Sequence, residues 1–475
     1  MTVPSGVIVR PDSRGVPTTA ASANAVALLD DAILGLVSHR ADTPSRLARA
    51  LETDPQLVVA HCLRGFAAKL LARRDLVTTA QDAHTEAQCS TETRGASERE
   101  RLLLAALGCW CADDPLGALE RLEHMLRLHP YDLLAIKLSH AVHFMMGQTA
   151  GMRRSVERVL PAWNDDVPGY AFVLGCHAFT LVETGELDAA ERVGRAAFER
   201  ECSDVWGAHA VVHAFELTDR TTQGEAWIAD IDVDDVNNFA GHLQWHRALF
   251  LLAQGDAEGA LHEYDASVAT HLGRDYRDLG NASTFLWRLT REAVDVGARW
   301  QPVAEAARSR VGEHSLAFAD VHYALALAGA GDFEAARALV ASMYALDNAR
   351  AGVEAVVLRE CGAPLADAIV ALAEGDASRA VALLLPLRDS WSCLGGSAPQ
   401  RAVFEQILVE AALAADDHQV ARLLLEERLS TRPNEAFSVA RVSRVSRATV
   451  TDVRELAPSV GRDARAVASH VKAAR

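Results

Sequence analysis

The chain is predicted to be all-α, a solenoid of antiparallel helix pairs enclosing a concave pocket, on the strength of its composition, its length and one recurring turn. Half of its 475 residues are hydrophobic while aromatics make up only 6%. Ala, Leu and Val dominate that half; Ala and Leu head the helix-propensity ranking, whereas strands draw on Ile, Thr and Tyr. A single compact core stops growing at roughly 250 to 300 residues, so a chain of this length must subdivide or repeat.

The recurring turn begins with Gly or Asp, continues with an acidic residue, and carries Ala five positions after its start. It occurs at Gly185 to Ala190, Gly255 to Ala260, Gly331 to Ala336 and Gly375 to Ala380, and without the leading Gly at Asp113 to Ala118. Gly supplies the left-handed end of a first helix, the acidic residue caps the second, and the small Ala lets the two approach. The first three separations, 72, 70 and 76 residues, are about twice the 34-residue tetratricopeptide period, which gives one marked and one degenerate helix pair in each. Lone pairs cannot bury their apolar faces, so they must stack into a superhelix.

This spacing predicts first, or A, helices near 56–72, 131–147, 169–184, 204–218, 238–254, 314–329 and 364–374. Second, or B, helices are predicted near 116–129, 186–200, 256–270, 333–347 and 377–388. Residues 1–20, with Pro4, Pro11, Pro17, Gly6 and Gly15, read as a disordered tail, and 21–432 as one continuous tetratricopeptide-like domain. Helical patterning resumes after Gly395 and Gly396, and beyond Pro433 residues 433–475 read as a helical extension packed on the array.

A net charge of −17 argues against a nucleic-acid or anionic-membrane surface, both of which need clustered positive charge. The one local surplus, eight basic against three acidic residues from Arg441 to Arg475, reads as a solvated or packing face. The eight cysteines form no CxxC pair and read as buried reduced thiols. The first residues resemble neither a signal peptide nor a transit helix, and no run of eighteen apolar residues occurs, so a cytoplasmic location is expected.

Histidine is distributed unevenly. His61, His140, His143, His177, His209, His213, His242, His246 and His322, half of the 18, fall on predicted A helices, which line the concave surface in arrays of this kind. Two of these helices carry His-x-x-x-His, at His209 with His213 and at His242 with His246. That spacing puts both rings on one face with Cβ atoms roughly 5–6 Å apart, suited to two ligands on one metal. Chance alone gives about 0.7 such pairs in a chain with this many histidines, so the shared position on successive A helices carries the weight. Glu216, three residues after His213, can join the same face. Asp320 with His322 places a carboxylate beside an imidazole at the inner wall, and Arg401 is a candidate anion ligand with an ionic packing role as its alternative. His61, His143 and His177 read as core histidines satisfied by a carbonyl or carboxylate, and Trp206 and Trp245 as core beside the pairs. No HExxH, GxSxG, Walker-type or GxGxxG motif stands in a fitting context.

From about Asp54 to about Leu425 the chain resembles the tetratricopeptide repeat protein 38 family. The likeness is carried by Pro130, Asp132, His140 through Gly147, Pro168 to Tyr170, Gly175, Glu183, His209, His213, Glu216, His242, Trp245, His246 and Gly255. Further matches are Arg299, Trp300, Asp320, His322, Leu394 to Ser397, Gln400, Arg401 and Phe404. The resemblance implies a tetratricopeptide-like fold and brings no assigned reaction. His143 and His177 stand where the relatives carry aromatic or apolar residues, which counts against both as site members.

Two functions follow as expectations. The first is a small-molecule site, open to catalysis, in which His209, His213, His242 and His246 ligate a divalent transition metal (Zn, Fe or Mn). Here His209, His213, Glu216, Asp320 and His322 serve hydrolysis or addition chemistry, and His140 and Arg401 hold the bound ligand. The alternative is an adaptor whose groove takes a peptide or protein partner, against which stands the near absence of lysine clamps, with only Lys69, Lys137 and Lys472 in the chain. A homodimer is compatible with either.

Overall fold

The computed structural model describes residues 8–273, 275–346 and 352–446. The chain is all-α, a helical-repeat array of consecutive antiparallel pairs, with one small hairpin as its only sheet among the described residues. The predicted A helices stand at Val58–Leu70, Leu133–Met145, Tyr170–Glu183, Val205–Leu217, Phe239–Ala253, Ala317–Gly329 and Ala363–Ala373. The predicted B helices stand at Pro115–Leu128, Leu187–Arg200, Ala257–Ala266, Phe333–Ala345 and Ala377–Leu384. Pairs without the marked turn fill the intervals, among them Val58–Leu70 with Val77–Arg94 and, further on, Tyr276–Arg291 with Trp300–Arg308.

The turns behave as their residue types require. Gly255, Gly331 and Gly375 have φ of 85°, 75° and 91°, and the following Asp256, Asp332 and Asp376 accept the backbone N–H three residues on at 2.9, 3.2 and 3.1 Å. Asp113 itself adopts φ 59°, which Asp tolerates better than most side chains. Gly185 also turns left-handed, but Glu186 makes no cap and pairs instead with Arg153. A sixth copy, Asp416 to Ala421, has the same features: φ 57° at Asp416 and an Asp417 cap on Val420 at 3.1 Å. Ala118, Ala190, Ala260, Ala336, Ala380 and Ala421 are all 0% exposed, as close helix approach demands.

Burial separates the two helix types. Tyr170–Glu183 packs on helices before and after it and buries nearly every residue from Ala171 to Val182, whereas its partner Leu187–Arg200 buries only Ala190, Gly194 and Ala197. Polar side chains on the covered faces of such helices are therefore cut off from water and must find partners inside the protein.

Two expectations about organisation are corrected. Within the expected 1–20 tail, Val9–Pro11 and Pro17–Thr19 pair as an antiparallel hairpin. It is fastened by Glu100, which accepts the Thr19 N–H at 2.8 Å and the Thr19 hydroxyl at 2.6 Å. Where one continuous domain is expected over 21–432, the described chain groups into two compact units, residues 1–214 with 229–240 and residues 215–228 with 241–475. Of the C-terminal extension, Ala436–Ser446 is a helix packed on His418–Thr431. Arg441 lies over the Phe437 ring and pairs with Glu410 and Glu292, so this basic residue is used in packing; Arg444 also pairs with Glu410, and the basic residues from Arg447 on lie outside the described residues.

Four cysteines, Cys62, Cys176, Cys361 and Cys393, are buried, while Cys89 and Cys202 are exposed and Cys109 and Cys111 intermediate, so burial holds for half of them; none is disulfide-bonded. Among the described residues no helix is long and apolar enough to cross a membrane.

Gly331→Ala, which meets no atom within 4 Å, is expected to cost about 1 kcal/mol through backbone strain alone. Ala336→Leu should cost more, about 1–3 kcal/mol, by forcing helices apart. Urea denaturation ranks the two.

Candidate metal centre

Val205–Leu217 carries the first histidine pair. Its start is set by Asp204, fully buried, whose Oδ1 accepts the Gly207 N–H at 3.2 Å. The fourfold spacing stacks His209 and His213 along one face, 2% and 0% exposed, with ring centroids 4.1 Å apart edge to face. His209 lies parallel to Phe179 at 5.8 Å and meets Phe239 edge-on at 5.0 Å. The carboxylate of Glu183, its side chain wholly buried, is 4.0 Å from His213 Nδ1.

Phe239–Ala253 carries the second pair. His242 and His246, 8% and 0% exposed, have ring centroids 4.8 Å apart. His246 Nδ1–H donates to Glu216 Oε2 at 2.7 Å, and His242 Nδ1–H donates to Asn281 Oδ1 at 3.3 Å. With both Nδ1 atoms engaged as donors, each ring keeps its lone pair on Nε2, the arrangement that carboxylate and amide partners impose on metal-ligating histidines. Trp245 stacks on His242 at 5.3 Å and stands edge-on to His246 at 4.7 Å, fixing both rings from one side. The helix end that bears Glu216 is tied down by Arg432, which donates to the Glu216 carbonyl at 2.9 Å and to Asp219 at 2.6 Å.

Burial, with a smaller contribution from the Arg288 charge, drives His246 down to about 3. Burial and the His246 ring hold His242 well below the ordinary imidazole value. Both rings are neutral at pH 7, the form that ligates metal.

Each pair is thus brought together on its own helix, His209 with His213 and His242 with His246. Other candidates fall elsewhere. His140 Nε2 accepts the Trp206 indole N–H at 3.1 Å, so this nitrogen is used in packing. Asp320 does not orient His322; it bonds His314 Nδ1 at 3.1 Å, and His322 Nδ1 donates to the Phe318 carbonyl at 2.6 Å. Arg401 donates to the Gly395 and Gly396 carbonyls, holding a turn whose Gly396 has no room for a side chain against Phe318. It also lines a pocket of about 390 Å³ with Arg388, Arg428 and Arg432. His61 bonds the Pro55 carbonyl at 2.8 Å and His143 bonds Gln148 at 3.0 Å, as expected of core histidines. Asn281 escaped the sequence reading because Tyr276–Arg291 follows no marked turn.

No family model matches the chain. Among solved structures, the tetratricopeptide repeat domain of P58(IPK) is 12% identical, covering 80% of this chain and 98% of its own, with a TM-score of 0.21. The structure of Naa15/Naa10 bound to HypK-THB is also 12% identical, covering 89% of this chain and 66% of its own, with a TM-score of 0.24. At these scores neither bears on function, and the architecture rests on the helix pairing itself.

Desolvation raises Asp204 from 3.8 to about 7. Because the folded value lies above the unfolded one, the stability linked to this group is full below pH 4 and declines as pH rises to 7, by a few kcal/mol. Asp204→Asn keeps the capping oxygen and removes the charge. Its stability relative to the native chain should therefore improve steadily from pH 4 to pH 7, as measured by urea denaturation at each pH.

Proposed function

We propose that this chain is a tetratricopeptide-like protein of the tetratricopeptide repeat protein 38 family that binds one divalent transition metal through His209, His213, His242 and His246. The metal would serve a small-molecule site of the hydrolysis or addition type. The observation that carries the reading is the packing of two buried imidazoles against each other on each helix, His209 with His213 and His242 with His246, joined to the Nδ1 hydrogen bonds that fix the tautomers of His246 and His242. The all-imidazole donor set suits zinc or iron better than manganese, which prefers oxygen.

Four neutral ligands would leave the ion its full double charge; the buried Glu183 side chain lies beside His213 and the partly exposed Glu216 beside His246. Such an ion polarises a carbonyl or lowers the pKa of a water that enters its shell. Glu216, hydrogen-bonded to His246, orients that ligand.

Elemental analysis of the purified full-length protein is expected to give about one equivalent of transition metal, falling below a tenth of an equivalent in the His242→Ala, His246→Ala double variant. Less than a tenth of an equivalent in the native chain after supplementation with zinc and iron overturns the reading. Glu216→Gln is expected to keep the metal with affinity about 10–100-fold weaker, read by competition with a chelating dye.

A further inference from the structure

Away from the four histidines, three side chains form a linear relay. His314 Nδ1 lies 3.1 Å from Asp320 Oδ2, and His314 Nε2 lies 3.1 Å from Ser342 Oγ. Asp320 opens the Ala317–Gly329 helix and is 1% exposed, His314 is 9% exposed, and Ser342 on Phe333–Ala345 is half-buried. Accessibility therefore rises from the acid to the hydroxyl. His314 is also one of the few non-glycine residues in the left-handed region, with φ 46°. Such a conformation costs on the order of 1 kcal/mol and persists where surrounding contacts over-determine it, often at functional sites.

We propose that Ser342, His314 and Asp320 form a second reaction centre, in which Ser342 Oγ takes an acyl group from a carboxylic ester. Order and burial assign the roles. Asp320 accepts the Nδ1–H of His314, which fixes the tautomer and turns the Nε2 lone pair toward Ser342; such relays are recognised by geometry and not by chain order. The Ser342 hydroxyl also reaches the Leu339 carbonyl at 2.7 Å, so a small χ1 rotation redirects its proton to His314.

In acylation the Oγ–carbonyl carbon bond forms as the hydroxyl proton passes to His314 Nε2. The imidazolium then returns that proton to the departing alcohol oxygen as the ester C–O bond breaks. In deacylation His314 takes a proton from water, the hydroxide oxygen bonds to the acyl carbon, and the Oγ–carbon bond breaks with the proton delivered to Oγ. The net change is ester plus water to acid plus alcohol, with no oxidant or other reactant. Ser342 and His314 touch the reacting atoms; Asp320 is a positioning residue.

Full-length protein treated with a fluorophosphonate probe and mapped by peptide mass spectrometry is expected to carry the modification on Ser342. Labelling should slow at least tenfold in His314→Asn, a side chain that tolerates the left-handed backbone. Turnover of p-nitrophenyl acetate should vanish in Ser342→Ala, a change small enough to preserve the fold. In Asp320→Asn kcat should fall at least tenfold with KM unchanged, which a loss of packing alone would not produce. An unmodified Ser342 in the folded native chain, or labelling at the same rate in His314→Asn, overturns the proposal.

Discussion

Close approach of paired helices at a single small residue governs this molecule. At Ala118, Ala190, Ala260, Ala336, Ala380 and Ala421 a methyl group, fully buried, is all that separates two backbones, and the left-handed residue five positions earlier sets the reversal that brings them together. Neither element works alone. A larger side chain forces the helices apart, and a turn without positive φ sends the second helix elsewhere.

Close pairing has a consequence for polarity. A helix covered by its partner and its neighbours keeps little face for water, so most imidazoles on Tyr170–Glu183, Val205–Leu217, Phe239–Ala253 or Ala317–Gly329 are satisfied from within. The chain meets that demand in distinct ways. His322 donates to a carbonyl one turn back, His140 takes an indole N–H, and His246 and His242 donate to Glu216 and Asn281. Burial holds the last two rings neutral, so the enclosure that makes them costly as cations makes them good ligands.

Asp320 shows how a correct residue can be assigned to the wrong neighbour. Its sequence proximity to His322 made that ring the natural partner, yet in a helix residues two apart point to different sides. The carboxylate instead turns to His314, which precedes the helix and folds back through its left-handed backbone. Arg401 is similar: a guanidinium beside two glycines reads as an anion site, but the glycine carbonyls themselves occupy it.

What the sequence by itself determined is local and periodic. The glycine and aspartate turns, the alanine that follows them, the A and B helices they delimit and the fourfold histidine spacing all follow from interactions a few residues long, which is why these predicted helices stand where they were expected. Tertiary structure alone decided the rest, because long-range partners leave no mark at fixed spacing. Glu100 holds a hairpin 81 residues earlier in the chain, Asn281 reaches His242 from a helix with no marked turn, and Ser342 reaches His314 across 28 residues. Each pairing exists because folding removes water from both groups and leaves the other as the one partner within reach.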